Sequence, residues 1–198
     1  MKLSSRVLDA IDCVRQHQTL NDLGNRAALV TNLVFMYQVI KASERLLVEA
    51  ANESTGRLKD YYEIHLEEER EHEKWLAEDL ATAGIDVNAV APIRLAVELA
   101  GTQYYLIKHH NPASLLGYMA VLEAFPFDVA LLEKLEKLHG KELLRCLRYH
   151  AINDQYHRVE LLQVIDEVDD EEVLRNAVNT QMYLNRFAEE LKKMMETK

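Results

Sequence analysis

Apolar residues recur at helical spacing along almost the whole chain, with none of the sustained alternation that marks a half-buried strand. The pattern predicts an all-α protein. A first helix over roughly Ser4 to Thr19 carries Leu8, Ile11 and Val14 on one side and is broken by Asn21-Asp-Leu-Gly24-Asn. A second, from Arg26 to about Ala51, is apolar through Leu29, Leu33, Tyr37, Ile40, Leu46 and Leu47 and reads as a central, mostly buried helix. After a turn at Asn52 to Gly56, a third helix runs to about Ala83, where Gly84 stops it. Pro92 suits the first turn of a fourth helix ending near His109, and Asn111-Pro112 caps a fifth over Ala113 to Ala124. Phe125-Pro126-Phe127 breaks the chain there, because proline lacks a donor and clashes with the preceding turn. A sixth helix spans Asp128 to His139, a seventh about Lys141 to Val168 and an eighth Glu171 to Lys193. The acidic run at 169–172 fits the N-terminus of the last, where the helix dipole favours negative charge.

Composition narrows the class. The 198 residues are enough for one domain, spanning 1–198, with 48% hydrophobic and 28% charged residues. No apolar run approaches the roughly 18 residues of a membrane span, and the N-terminal stretch is charged too early for a signal peptide, so a cytoplasmic protein is expected. Cys13 and Cys146 are too few for a disulfide framework, and both are expected to be reduced and packed. A net charge of −10 argues against nucleic acid as a partner, since phosphate binding rests on Lys and Arg. The strongly apolar helices are compatible with a homodimer.

Two clusters on separate helices change the picture. His150, Asp154 and His157 stand at i, i+4 and i+7, which at about 100° per residue places them within roughly 60° on one helical face. This polar stripe lies on a helix that is apolar on both sides of it, through Leu143, Leu144 and Leu147 before and Leu161 and Leu162 after. Metal coordination would satisfy such a stripe. The second cluster, His65-x-x-Glu68-Glu69-x-x-His72, lies in a segment so acidic that much of it must face solvent. Glu69 with His72 has the i, i+3 geometry of carboxylate-bridged sites in helix bundles. Glu68 is an alternative ligand, whereas His65 is expected behind the ligands or on the surface. Glu123 is the lone acid of an apolar segment and a further ligand candidate, and Glu44 is a weaker candidate for an additional carboxylate or for one that supports the ligands from behind. A mixed histidine and carboxylate set suits iron or manganese better than structural zinc.

The combination of E69-RE-H72, of G-Y followed by V121-L122-E123, and of H150-AIN-D154-QY-H157 resembles the haem-oxygenase-like diiron oxidases and oxygenases. These share a fold with the thiaminase-II and pyrroloquinoline-quinone-synthase proteins (TenA- and PqqC-like). The resemblance implies a bundle of seven to eight helices that binds two ferrous ions per chain and uses O2 as a co-substrate. It implies Glu69, His72 and His150 as ligands of one iron, and Glu123, Asp154 and His157 as ligands of the other. It further implies oxidation of a small organic molecule, either amino-acid-like or fatty-acid-like. Three rivals stand beside it. A TenA-like C–N hydrolase would use Cys146; a haem oxygenase would need His17 as axial ligand; and a non-catalytic helical interaction module would leave the clusters as surface charge.

Overall fold

The computed structural model describes residues 1–19 and 22–197. Every described regular element is helical. α1 (Leu3–Arg15), α2 (Arg26–Glu53), α3 (Gly56–Glu68), α4 (His72–Thr82) and α5 (Arg94–His109) are followed by a 3-10 turn at Pro112–Ser114. Then come α6 (Leu115–Glu123), α7 (Val129–His139), α8 (Arg145–Val168) and α9 (Glu171–Glu196). No described helix is long and apolar enough to cross a membrane.

The boundaries follow local chemistry. Asn25 caps α2 by accepting from the Ala27 and Ala28 amides, Asp128 caps α7, and Asp170, from the acidic run, caps α9. Asn111 caps the 3-10 turn as Pro112 opens it. Gly84, with φ of 78°, stops α4 in the left-handed conformation that only glycine adopts without strain. The first helix ends at Arg15, short of Thr19, and Asn21 of the expected breaker lies outside the described residues.

The predicted third helix is divided, and this is the main departure from the sequence pattern. Glu69, Arg70 and Glu71 separate α3 from α4, and Glu71 takes a left-handed φ of 71°. Periodicity carries straight through this stretch because its residues are good helix formers, so nothing local announces the break. A tertiary contact holds it: the Glu71 amide donates to Glu44 Oε1 on α2 at 2.7 Å. Glu44, expected as an additional or a supporting carboxylate, thus anchors the backbone beside the candidate site.

Two apolar clusters form the core. One unites α1, α2, α3, α5, α6, α8 and α9 and includes the stacked Phe35–Phe187 pair. The other joins α2 and α4 to α7 and the first half of α8. α6 lies against α9 at Gly117, where a Cβ would stand 2.1 Å from the Val173 carbonyl oxygen, so only glycine permits that approach. α8 starts at Arg145 because Asp79, fully buried on α4, accepts from the Cys146 amide at 2.8 Å and from Arg145 Nε at 2.7 Å. This clamp ties the first turn of α8 to α4 and sets their register.

Candidate metal centre

α8 runs antiparallel to α3 and α4, and both carry a histidine pair at i, i+7. The register therefore matches the pairs crosswise. His65 meets His157 with ring centroids 5.4 Å apart, and His72 meets His150 at 4.9 Å. Carboxylates complete two groups whose donor atoms all lie within 4.8 Å of one another: Glu69, His72 and His150 in the first, and His65, Glu123 and His157 in the second. The groups adjoin, since Glu69 Oε1 lies 3.9 Å from His157 Nδ1.

The first group unites three residues that the sequence singled out. His72 Nδ1 stands 3.0 Å from Glu69 Oε2, and the α3–α4 break lies between these two residues. In the second group Glu123 and His157 meet, but the third member is His65 rather than Asp154. His65, expected behind the ligands or on the surface, is 2% exposed, which removes the surface alternative, and its Nε2 is 3.2 Å from Glu123 Oε1. Asp154 is buried in neither group; its Oδ1 lies 3.1 Å from His150 Nδ1. That contact holds a proton on His150 Nδ1, so that Nε2 is the nitrogen left for a metal once its own proton is displaced. Glu68 sits at the rim, 43% exposed, with Oε2 3.5 Å from His65 Nδ1 and 3.8 Å from His157 Nε2.

The electrostatics are those of buried imidazoles and carboxylates that favour one another's charged forms. Burial opposes charging His65, but Glu123 and then Glu68 and Glu69 outweigh it and push its pKa up to about 10. Burial likewise opposes the His150 imidazolium, yet Asp154, Cys146 and Glu69 raise it to about 11. Burial would raise Glu69, but the hydrogen bond from His72 and the charge of His150 hold it well below the usual carboxylate range. Even so, Glu69 Oε1, Glu123 Oε2, His150 Nε2 and His157 Nδ1 are buried with no hydrogen-bond partner, four of the eight such side-chain atoms among the described residues. Orphaned donors are costly unless something binds them. Imidazoles and carboxylates at this spacing fit a divalent transition metal in each group.

A cavity of about 220 Å³ opens from this centre between the two core clusters. One stripe of α2 lines it from Leu29 through Leu33, Met36 and Ile40 to Leu47, a helical rise of roughly 27 Å. Its polar lining away from the candidate ligands is sparse: Asn32, Ser43 and Tyr118. Ser43 donates to the Val39 carbonyl, so the Tyr118 hydroxyl, 3.2 Å away, donates to Ser43. Cys146 is buried and also lines the cavity, one turn before His150, whereas Cys13 is exposed, contrary to expectation. His17 is on the surface with its Nδ1 3.1 Å from the Cys13 carbonyl, outside the cavity lining, so nothing places it as an axial haem ligand.

No protein-family model matches the chain, and no curated protein matches it. Solved structures do. A domain of unknown function with a haem oxygenase-like fold from Shewanella denitrificans OS217 superimposes with a TM-score of 0.70 at 18% identity, over 98% of this chain and 88% of that one. A TenA homologue from Pseudomonas syringae pv. tomato strain DC3000 gives a TM-score of 0.71 at 13% identity, over 96% and 92% of the two chains. The protein thus has the haem-oxygenase-like, TenA-type fold.

Proposed function

We propose that the protein is a non-haem diiron oxidase or oxygenase acting on a small substrate with an unbranched apolar chain. The observation that supports it most is the set of four partnerless buried donor atoms in two adjoining histidine–carboxylate groups. Glu69, His72 and His150 would hold one ion, and His65, Glu123 and His157 the other, with Glu68 available at the rim. When bound, the iron pair would supply the electrons that activate dioxygen for oxidation of the substrate. Asp154 would keep His150 in the tautomer that presents Nε2, and Glu44 would hold the backbone turn on which Glu69 and His72 depend. The long apolar lining along α2 favours a fatty-acid-like chain over a compact amino acid and excludes water from the reacting end. Tyr118, whose proton is committed to Ser43, offers an acceptor to a donor group on the substrate.

A specific observation keeps one other reading in play. Cys146 lines the same cavity one turn before His150, with its Sγ 3.8 Å from the His72 carbonyl oxygen. A TenA-like hydrolase would use the Cys146 sulfur as the nucleophile at a C–N bond. It leaves the His65–Glu123–His157 group without a role. The discriminating experiment follows dioxygen consumption by the ferrous-loaded protein with straight-chain fatty acids and with amino acids, in wild type and Cys146→Ser. Substrate-dependent uptake retained in Cys146→Ser supports the oxidase; hydrolysis of a small-molecule C–N bond without iron, lost in Cys146→Ser, supports the hydrolase.

A further inference from the structure

From the packing around the first histidine–carboxylate group, we propose that Trp75 and Tyr149 form an exit for oxidising equivalents, which drains the metal centre to solvent when no substrate is present. This rests on the oxidase reading above.

Trp75 packs on His72 with ring centroids 4.5 Å apart, and Tyr149 meets both His72 at 5.1 Å and His150 at 5.8 Å. The two outer rings touch each other at 5.1 Å, edge to face. Both reach water, at 38% and 37% exposure. The four rings therefore make a continuous path from two candidate ligands to the surface.

Chemistry selects this direction. Indole and phenol are the side chains that most readily lose one electron, but a phenol does so only if its proton can leave with it. Tyr61 stacks on His65 at 5.7 Å on the opposite side of the centre, yet its hydroxyl is buried and has no acceptor. Tyr118 faces Ser43, whose own proton is spent on Val39. Neither inner tyrosine has a base to receive its proton, whereas Trp75 and Tyr149 can release theirs to water.

In each passage Trp75 or Tyr149 gives one electron to the oxidised metal pair and one proton to solvent. A soluble one-electron reductant such as ascorbate then returns an electron and a proton to the side-chain radical. Dioxygen is the terminal oxidant. Without the reductant, loss of a second electron, addition of water and release of two protons in all leave a hydroxylated ring.

The test is peptide mass spectrometry on ferrous-loaded protein cycled with dioxygen, without substrate, with and without ascorbate. Iron content and oxygen uptake are recorded on the same samples. We expect oxygen incorporation at Trp75 and Tyr149 several-fold above that at Tyr104 and Tyr105, which are more exposed at 49% and 63%, and suppression by ascorbate. In Trp75→Phe/Tyr149→Phe, checked for unchanged helicity, oxidation should move inward to His72, His150 and Cys146. Iron and oxygen uptake with oxidation that merely follows exposure, or a double variant whose ligands stay intact, overturns the exit while leaving the oxidase reading standing. A folded protein that takes up no iron overturns the oxidase reading, and the exit with it.

Discussion

His65 and His157 meet edge to face where α3 crosses α8, with ring centroids 5.4 Å apart, and the same interval along each antiparallel helix brings His72 to His150. Two i, i+7 histidine pairs thus become two adjoining donor groups through helix register alone. Register is set some distance away, by Asp79 holding the start of α8, and the break at Glu71 adjusts the angle between the halves.

The positions of His65 and Asp154 separate two ligand sets. The geometry predicts that His65→Ala lowers the bound metal from two ions per chain to one. Asp154→Asn should keep both ions but weaken affinity by about 10–100-fold, as expected of a group that orients a ligand. Metal content after gel filtration checks both. Loss of one ion in Asp154→Asn, with His65→Ala unaffected, would restore the set implied by the sequence resemblance.

Asp79 should act on metal binding without touching the metal. Asp79→Ala removes a hydrogen bond to the Cys146 amide and an ion pair to Arg145, and charge-assisted bonds of this kind are worth about 1.5–3 kcal/mol each at most. Chemical denaturation should show a loss of that order, with metal affinity reduced alongside. Unchanged affinity in a destabilised protein would mean that register is held elsewhere.

The pH dependence has opposite signs with and without metal. In the metal-free protein His65 and His150 are raised from 6.5 to about 10 and about 11. Their stabilisation is complete below pH 6.5 and is lost as pH rises through those values. Glu69, depressed from 4.5, contributes above that value and loses its contribution as pH falls below it. The metal-free centre is therefore most stabilising between about pH 4.5 and 6.5. A metal must displace the imidazole protons, so the rise in Tm on adding Mn(II) should grow from pH 6 to pH 9. Thermal scans across that range measure it; an increment independent of pH would show that these imidazoles do not bind the ion.

Trp75 is the sole tryptophan, and its ring packs against His72. Co(II) bound in the first group should quench its fluorescence strongly, whereas Zn(II), with a filled d shell, should quench little. His72→Ala should abolish the Co(II) effect. Equal quenching by both ions would point to a change in packing rather than to a bound paramagnetic centre.

The sequence carried the fold far. Helical periodicity places the helices apart from the α3–α4 division, and the starts expected at Arg26 and Glu171 are those observed. It could not locate the α3–α4 break, because Glu71 turns on a contact with Glu44 on another helix. The burial of His65 is hidden for a related reason: its neighbours are acidic and exposed, so local polarity leaves a surface position open. The overlooked signal was the interval from His65 to His72, equal to that from His150 to His157, which antiparallel packing converts into facing pairs. Asp154 shares the helical face of both α8 histidines, and spacing alone does not tell a ligand from the residue that orients one.

The most direct test of a dinuclear centre is to titrate the metal-free protein with ferrous iron under anaerobic conditions, with and without a long-chain fatty acid, and to count bound iron per chain. The account predicts about two ions per chain, reduced to one by either His65→Ala or His72→Ala. A folded protein that binds no iron under either condition would contradict it and leave Cys146 as the chemistry of the cavity.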